Sequence, residues 1–149
     1  MTKRFMLYLL VILLLSGCQQ EKPSYFTETY SDKELEGVTM EILNTSSGRI
    51  HYIVRVNQDN MIISSVEDYE CLVEKWENNR WEIVPKKVYA TTDSRVLIDR
   101  MNPYSGSYNL DSHEPLESGK YRLISRYSHY KEGMFQGKYS VKAEFEWRG

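Results

Sequence analysis

Three histidines, two cysteines and 21 carboxylates are the side chains of this 149-residue chain that could do chemistry, and their spacing decides what kind. Asp111-Ser112-His113-Glu114 holds the residue types of a hydrolytic relay. A relay needs nucleophile, base and orienting acid to converge from separated positions, which immediate neighbours do not do. The segment therefore predicts a turn. His51 falls mid-strand, opposite an apolar stripe, and is expected to face solvent. His129 is expected in a loop without a partner ligand. Asp68, Glu70, Glu74 and Glu77 fall within ten residues and are expected on one solvated strand face, where no metal is needed. No HExxH, CxxC, phosphate-cradling glycine loop or calcium loop occurs. No catalytic residue, metal or cofactor is expected, and the chain does not predict an enzyme. Cys71, inside Tyr69-Glu70-Cys71-Leu72-Val73-Glu74-Lys75-Trp76, is expected as a buried thiol that packs like a small apolar group.

The other cysteine has a different setting. Lys3-Arg4 precedes an apolar run at residues 5–15, and Leu15-Ser16-Gly17-Cys18 follows. As a helix these 11 residues extend about 16 Å, at ~1.5 Å per residue. A hydrocarbon core is about 30 Å thick, so the run is too short to span it. Cationic residues at the front and small residues ahead of Cys18 predict a cleaved export leader instead. The stretch resembles bacterial lipoprotein signal peptides. That resemblance implies cleavage between Gly17 and Cys18, a diacylglyceryl group on the Cys18 sulfur and acylation of the new amino terminus. Two or more acyl chains hold a protein stably on a bilayer, whereas one binds marginally. Residues 1–17 are then the leader, 18–36 the lipidated cysteine and a flexible tether, and 37–149 a folded domain. One reservation is Tyr25-Phe26-Thr27-Glu28-Thr29-Tyr30, aromatic and β-branched enough for an early edge strand.

Charge narrows the partners. The whole chain carries a formal net charge of −2. Loss of Lys3 and Arg4 with the leader brings it to −4. Phosphate-backbone binding requires a basic stripe, so no nucleic-acid partner is expected. With Cys18 lipidated, no internal disulfide can form, and the apolar core must carry stability.

The elements that position these residues alternate with a period of two. Val38, Met40 and Ile42 share a face, as do Ile50, Tyr52, Val54 and Val56. Glu77-Asn78-Asn79-Arg80, ahead of Trp81-Glu82-Ile83-Val84-Pro85, predicts a hairpin turn, since asparagine tolerates positive φ. Val96-Leu97-Ile98 is a short apolar run, and Tyr121-Arg122-Leu123-Ile124 follows Gly119. Tyr139, Val141, Ala143, Phe145 and Trp147 alternate with Lys142, Glu144 and Glu146 in the clearest strand. Trp76 and Trp81 are expected at the core or its edge. No helix is expected. Seven or eight short strands predict an all-β, two-sheet antiparallel sandwich, with an open barrel as the alternative.

Three landmarks resemble a bacterial immunoglobulin-like domain of exported, chiefly Gram-positive proteins: Val54-Arg55-Val56-Asn57; Tyr69, Leu72 and Glu74 leading to Arg80-Trp81-Glu82-Ile83-Val84-Pro85; and Leu116-Glu117-Ser118-Gly119-Lys120-Tyr121-Arg122-Leu123. The segment 101–114 departs from that pattern. The resemblance implies an immunoglobulin-like sandwich and an exported setting, and no activity. Gly119 and Tyr121 are expected to form a corner in which the tyrosine hydroxyl bonds nearby backbone. Segment 126–139 mixes aromatics, cations and glycines as a long loop or extended hairpin. Tyr127, Tyr130 and Phe135, joined by Tyr104 and Tyr108, form the expected interaction surface, since tyrosine gives much contact at low ordering cost. The chain thus predicts a non-catalytic surface lipoprotein, anchored through lipid on Cys18 to the outer face of the cell membrane (or to the outer membrane of a Gram-negative source), with a protein partner. A small-ligand or cell-wall glycan receptor is the alternative.

Overall fold

The computed structural model describes residues 31–66, 71–87 and 95–149. The leader, Cys18 and Tyr25 to Tyr30 lie outside the described residues, as do Asp68, Tyr69 and Glu70.

Two long strands form the spine. β9 (Gly119–Lys131) and β10 (Met134–Trp147) pair antiparallel through a two-residue turn at Glu132 and Gly133, both with positive φ. On β9 the alternation puts Tyr121, Leu123, Ser125, Tyr127 and His129 inward; on β10, Val141, Ala143 and Phe145. This confirms the alternating pattern of the last strand, and of the two expected forms for 126–139, long loop or extended hairpin, the structure has the hairpin. His129 is therefore a strand residue with a buried ring, not a loop residue.

Five strands complete the larger sheet. β1 (Ser31–Glu34) lies parallel to β10, with Ser31 opposite Tyr139. Along the other edge of β9 lie β4 (Met61–Val66) and β5 (Cys71–Glu77), end to end. β6 (Arg80–Ile83) extends the sheet from β5, and β7 (Arg95–Ile98) extends it from β4. The smaller sheet has the order β2 (Val38–Ser46), β3 (Arg49–Val56), β8 (Tyr104–Asn109). A 3-10 turn at Leu110–Ser112 follows β8.

The core lies between the sheets. Ile50, Tyr52, Val54 and Val56 from β3 meet Ile63, Val73, Ile98, Leu123, Tyr127 and Val141. Burying an aliphatic or aromatic side chain of this size contributes about 1.5–3 kcal/mol. Gly106 on β8 is dictated by this packing, because a Cβ there would stand 2.4 Å from the Tyr52 ring. A polar thread crosses the core: the Tyr52 hydroxyl lies 3.8 Å from the Cys71 sulfur, and the thiol donates to Ser125 Oγ at 3.5 Å. Cys71 is buried, as expected. Burial and the neighbouring thiol push the Tyr52 hydroxyl pKa far up.

The sequence-derived boundary of the domain moves. Residues 31–36, assigned to the tether, are part of the folded unit, because β1 pairs with β10 and Leu35 joins the core. The cause is a turn, Val38 N–H to Leu35 carbonyl at 3.1 Å, that carries the chain from one sheet to the other.

The two ends of the sandwich differ. One holds residues 57–60, residues 99–103 and the β9–β10 turn, tied by Glu132 N–H to the Asn60 carbonyl and by Arg100 to Asp59 at 2.6 Å. The opposite end holds the β2–β3 and β5–β6 turns and the connection from β8 to β9, tied by Leu110 N–H to the Gly48 carbonyl and by Lys75 to Glu117. At that end the Tyr121 hydroxyl donates to the Glu117 carbonyl at 2.8 Å, which is the corner the sequence predicts.

Candidate interaction surface

The five expected surface aromatics separate once their strands are placed. Tyr127 and Tyr108 are each 1% exposed and belong to the core, so neither can meet a partner. Tyr127 sits at an inward register of β9, and Tyr108 sits opposite Ile50 of β3. Tyr104 is half-buried, its ring edge-on to Tyr52 at 6.1 Å. Only Tyr130 and Phe135 share an outer face: they are cross-strand partners, edge to face at 5.7 Å. Ile62, paired with Tyr130 from β4, continues that row. The expected five-residue patch is therefore reduced to two of its members, joined by the aliphatic Ile62.

A second cluster lies on the same outer face, toward the opposite end. Trp76 on β5 and Trp81 on β6 are cross-strand partners with centroids 5.1 Å apart. The expectation placed them at the core or its edge; neither joins the core cluster. Trp76 is exposed and Trp81 half-buried, with exposed Ile83 next along β6. The Arg122 guanidinium lies 4.5 Å from the Trp81 ring centre, and the Lys120 ammonium 5.5 Å from it. Arg122 is fixed by an ion pair with Glu74, its neighbour across β5 and β9, and Lys120 by Glu144 at 2.6 Å. Tryptophan and arginine are the residue types that most often dominate interface energetics, and here both are held in place before any partner arrives. The signal was present in the sequence, since Trp76 and Trp81 flank a two-residue turn. Register alone decides that they point away from the core.

The groups that could have done acid–base chemistry are occupied otherwise. His113 is buried; its Nδ1 lies 2.9 Å from the Pro85 carbonyl and its Nε2 lies 2.8 Å from the Tyr108 hydroxyl. A carbonyl only accepts, so Nδ1 carries the proton and Nε2 accepts from the tyrosine. Burial holds its pKa below the ordinary imidazole value, with Lys86 acting in the same direction. Ser112 donates to the Asn109 carbonyl, and Asn109 Oδ1 accepts from Asp111 N–H. These four sequence neighbours therefore build a tight turn whose histidine ties the 84–87 segment to β8. Neither ring nitrogen of His129 has a hydrogen-bond partner, and burial lowers its pKa too. His51 lies half-buried on the outer side of β3. Glu74 and Glu77 do not share a face: Glu74 bonds Arg122, whereas Glu77 bonds Lys75 at 2.5 Å. The odd interval between them on a strand requires that separation. Among the described residues no group of three or more histidine, cysteine or acidic side chains could hold a metal ion. An open cleft of about 430 Å³ at the β2–β3 end is lined by Gly48, Lys87, Asp111, His113 and Trp147.

Two facing β-sheets, a short crossover strand at one edge and a tyrosine corner define an immunoglobulin-like sandwich. The family model of a bacterial Ig-like domain matches residues 24–146, and the chain belongs to that family. Domains of this family are generally displayed outside the cell. No curated protein and no solved structure matches the chain significantly. Among the described residues no helix is long and apolar enough to cross a membrane.

Proposed function

We propose that this chain is a non-catalytic surface lipoprotein, held by lipid on Cys18, whose Ig-like domain binds a protein partner through the outer face of its larger sheet. The cluster of Trp76, Trp81, Ile83 and Arg122 carries this reading. It is an aromatic and aliphatic surface with a preorganised cation at its centre. The lipobox-like segment Leu15-Ser16-Gly17-Cys18 supports the anchor, and the family supports the exported setting. The absence of a converging relay around His113 supports a binding role over an enzymatic one.

Two measurements test it. Cys18→Ala should leave the domain folded but release it from the membrane fraction; unchanged fractionation would refute the anchor. A photocrosslinking residue at Trp76 should capture a discrete protein in cells, and one at Leu43, exposed on the smaller sheet, should not. Equal capture at both positions removes the outer face from the proposal. The exposed indole of Trp76 also favours a second reading, stacking on a wall glycan. Titration with wall fragments should then change tryptophan emission, and a flat response rejects it.

A further inference from the structure

We infer that the end of the sandwich carrying the β9–β10 turn is a bilayer-contacting surface that inserts apolar side chains into the outer leaflet. This rests on the proposed anchor at Cys18. Three independent features point to that end.

Exposed apolar side chains gather there. Among the described residues, Met101 is 83% exposed, Met134 62% and Phe135 56%, with exposed Ile62 and Leu97 on the strands behind them. Such crowding of large apolar groups on one end of a domain marks a contact site, where scattered single residues would not.

The groups are held out rigidly. Asp99 Oδ1 accepts from Met101 N–H at 2.8 Å and from Asn102 N–H at 2.9 Å, and Asn102 N–H also reaches the Asp99 carbonyl. The Asn102 side-chain amide also donates to the carboxylate at 2.9 Å, and this bond first, with the backbone bonds, lowers the Asp99 pKa. The turn therefore presents Met101 outward. Met134 and Phe135 follow the tight β9–β10 turn, which is tied to Asn60.

Chain direction brings this end to the membrane. β1 is parallel to β10 and meets it at Tyr139, so β1 begins on the β9–β10 turn side and runs away from it. Cys18 is 13 residues upstream of Ser31, which allows at most ~45 Å of reach. The 14 residues of β10 span about the same length. The β9–β10 end, nearest to where β1 begins, is therefore within reach of the bilayer. Tethering makes the contact intramolecular, so a site too weak to bind free vesicles well is still occupied.

Charge separates a bilayer from a wall polyanion. Lys131 and Arg100 at this end are matched by Glu132, Asp59 and Asp99. Among the described residues of these turns there is no basic excess to hold a polyanion, and apolar insertion is the expected mode.

The test uses the full lipoprotein in neutral phosphatidylcholine vesicles containing nitroxide-labelled lipid. An environment-sensitive fluorophore is attached at Phe135→Cys, with Asn78→Cys at the far end as the comparison. Cys71 is buried and remains unlabelled. The expected result is blue-shifted emission and several-fold stronger quenching at 135 than at 78, retained in high salt and weakened by Met101→Ser/Met134→Ser. Equal quenching at both positions, or stronger quenching at 78, overturns the inference. So does dependence on anionic lipid or loss in high salt, which would indicate electrostatic attraction. The mass of the Cys18 peptide from the same preparation reads the anchor separately. If Cys18 proves unmodified, excess vesicles are added to the Cys18→Ala protein; quenching at 135 then supports the surface, and none overturns it.

Discussion

Single residues show how the same side chain type serves opposite ends. Tyr121 spends its hydroxyl on the Glu117 carbonyl, which fixes the approach to β9. Tyr121→Phe should keep the fold and lower the unfolding free energy by about 1 kcal/mol, measured by urea titration. The two buried histidines predict an acid limb. Both have pKa values held below the ordinary 6.5, by burial first. The folded state therefore prefers neutral rings. Their contribution is complete above that value and is lost as pH falls below it. Stability curves should bend downward in that window, before the carboxylates titrate. Asp99 and Glu117, lowered by hydrogen bonds to Asn102 and Lys75 respectively, lose their contribution at still lower pH. The His129 ring makes no hydrogen bond, so His129→Leu should cost little and should shallow the first limb; an unchanged limb would place the effect elsewhere. The sequence showed where the histidines fall but could not show burial, since burial depends on the facing sheet.

At the scale of elements, turn chemistry was the most legible feature. Asn78 and Asn79 have φ of 51° and 62°, which is what a two-residue hairpin with right-handed twist requires. Asn79→Ala should destabilise by about 1 kcal/mol, with Asn79→Gly neutral or better, because only the alanine carries the left-handed penalty. Thermal melts of the pair would distinguish this from a general loss of contact. The 126–139 segment was less legible. Its glycines and polar residues read equally as loop or hairpin, and the pairing of Tyr130 with Phe135 and Ile62 is a property of register. A shift by one residue would exchange Tyr127 for an outward position and destroy the core at Ile63 and Val141. Register also chooses between core and core edge for Trp76 and Trp81. The odd positions of β5 hold Cys71 and Val73 inward, so even position 76 must face out.

At the scale of the whole molecule, the larger sheet carries two separate clusters on its outer face, Trp76 with Trp81 and Tyr130 with Phe135. β1 belongs to the domain, since it pairs with β10 and the next residue, Leu35, joins the core. Leu35→Ala should therefore cost about 2 kcal/mol or more, as for a core leucine; a change near zero would return residues 31–36 to the tether. Sequence by itself determined the all-β class, the sandwich, the tight turns, the tyrosine corner and the buried thiol. Each follows from alternation or from backbone preferences local to a few residues. Which aromatics are core and which are surface, and where the domain begins, were decided only by tertiary structure. Those properties depend on strand register and on which sheet lies opposite, and neither is encoded within any one segment.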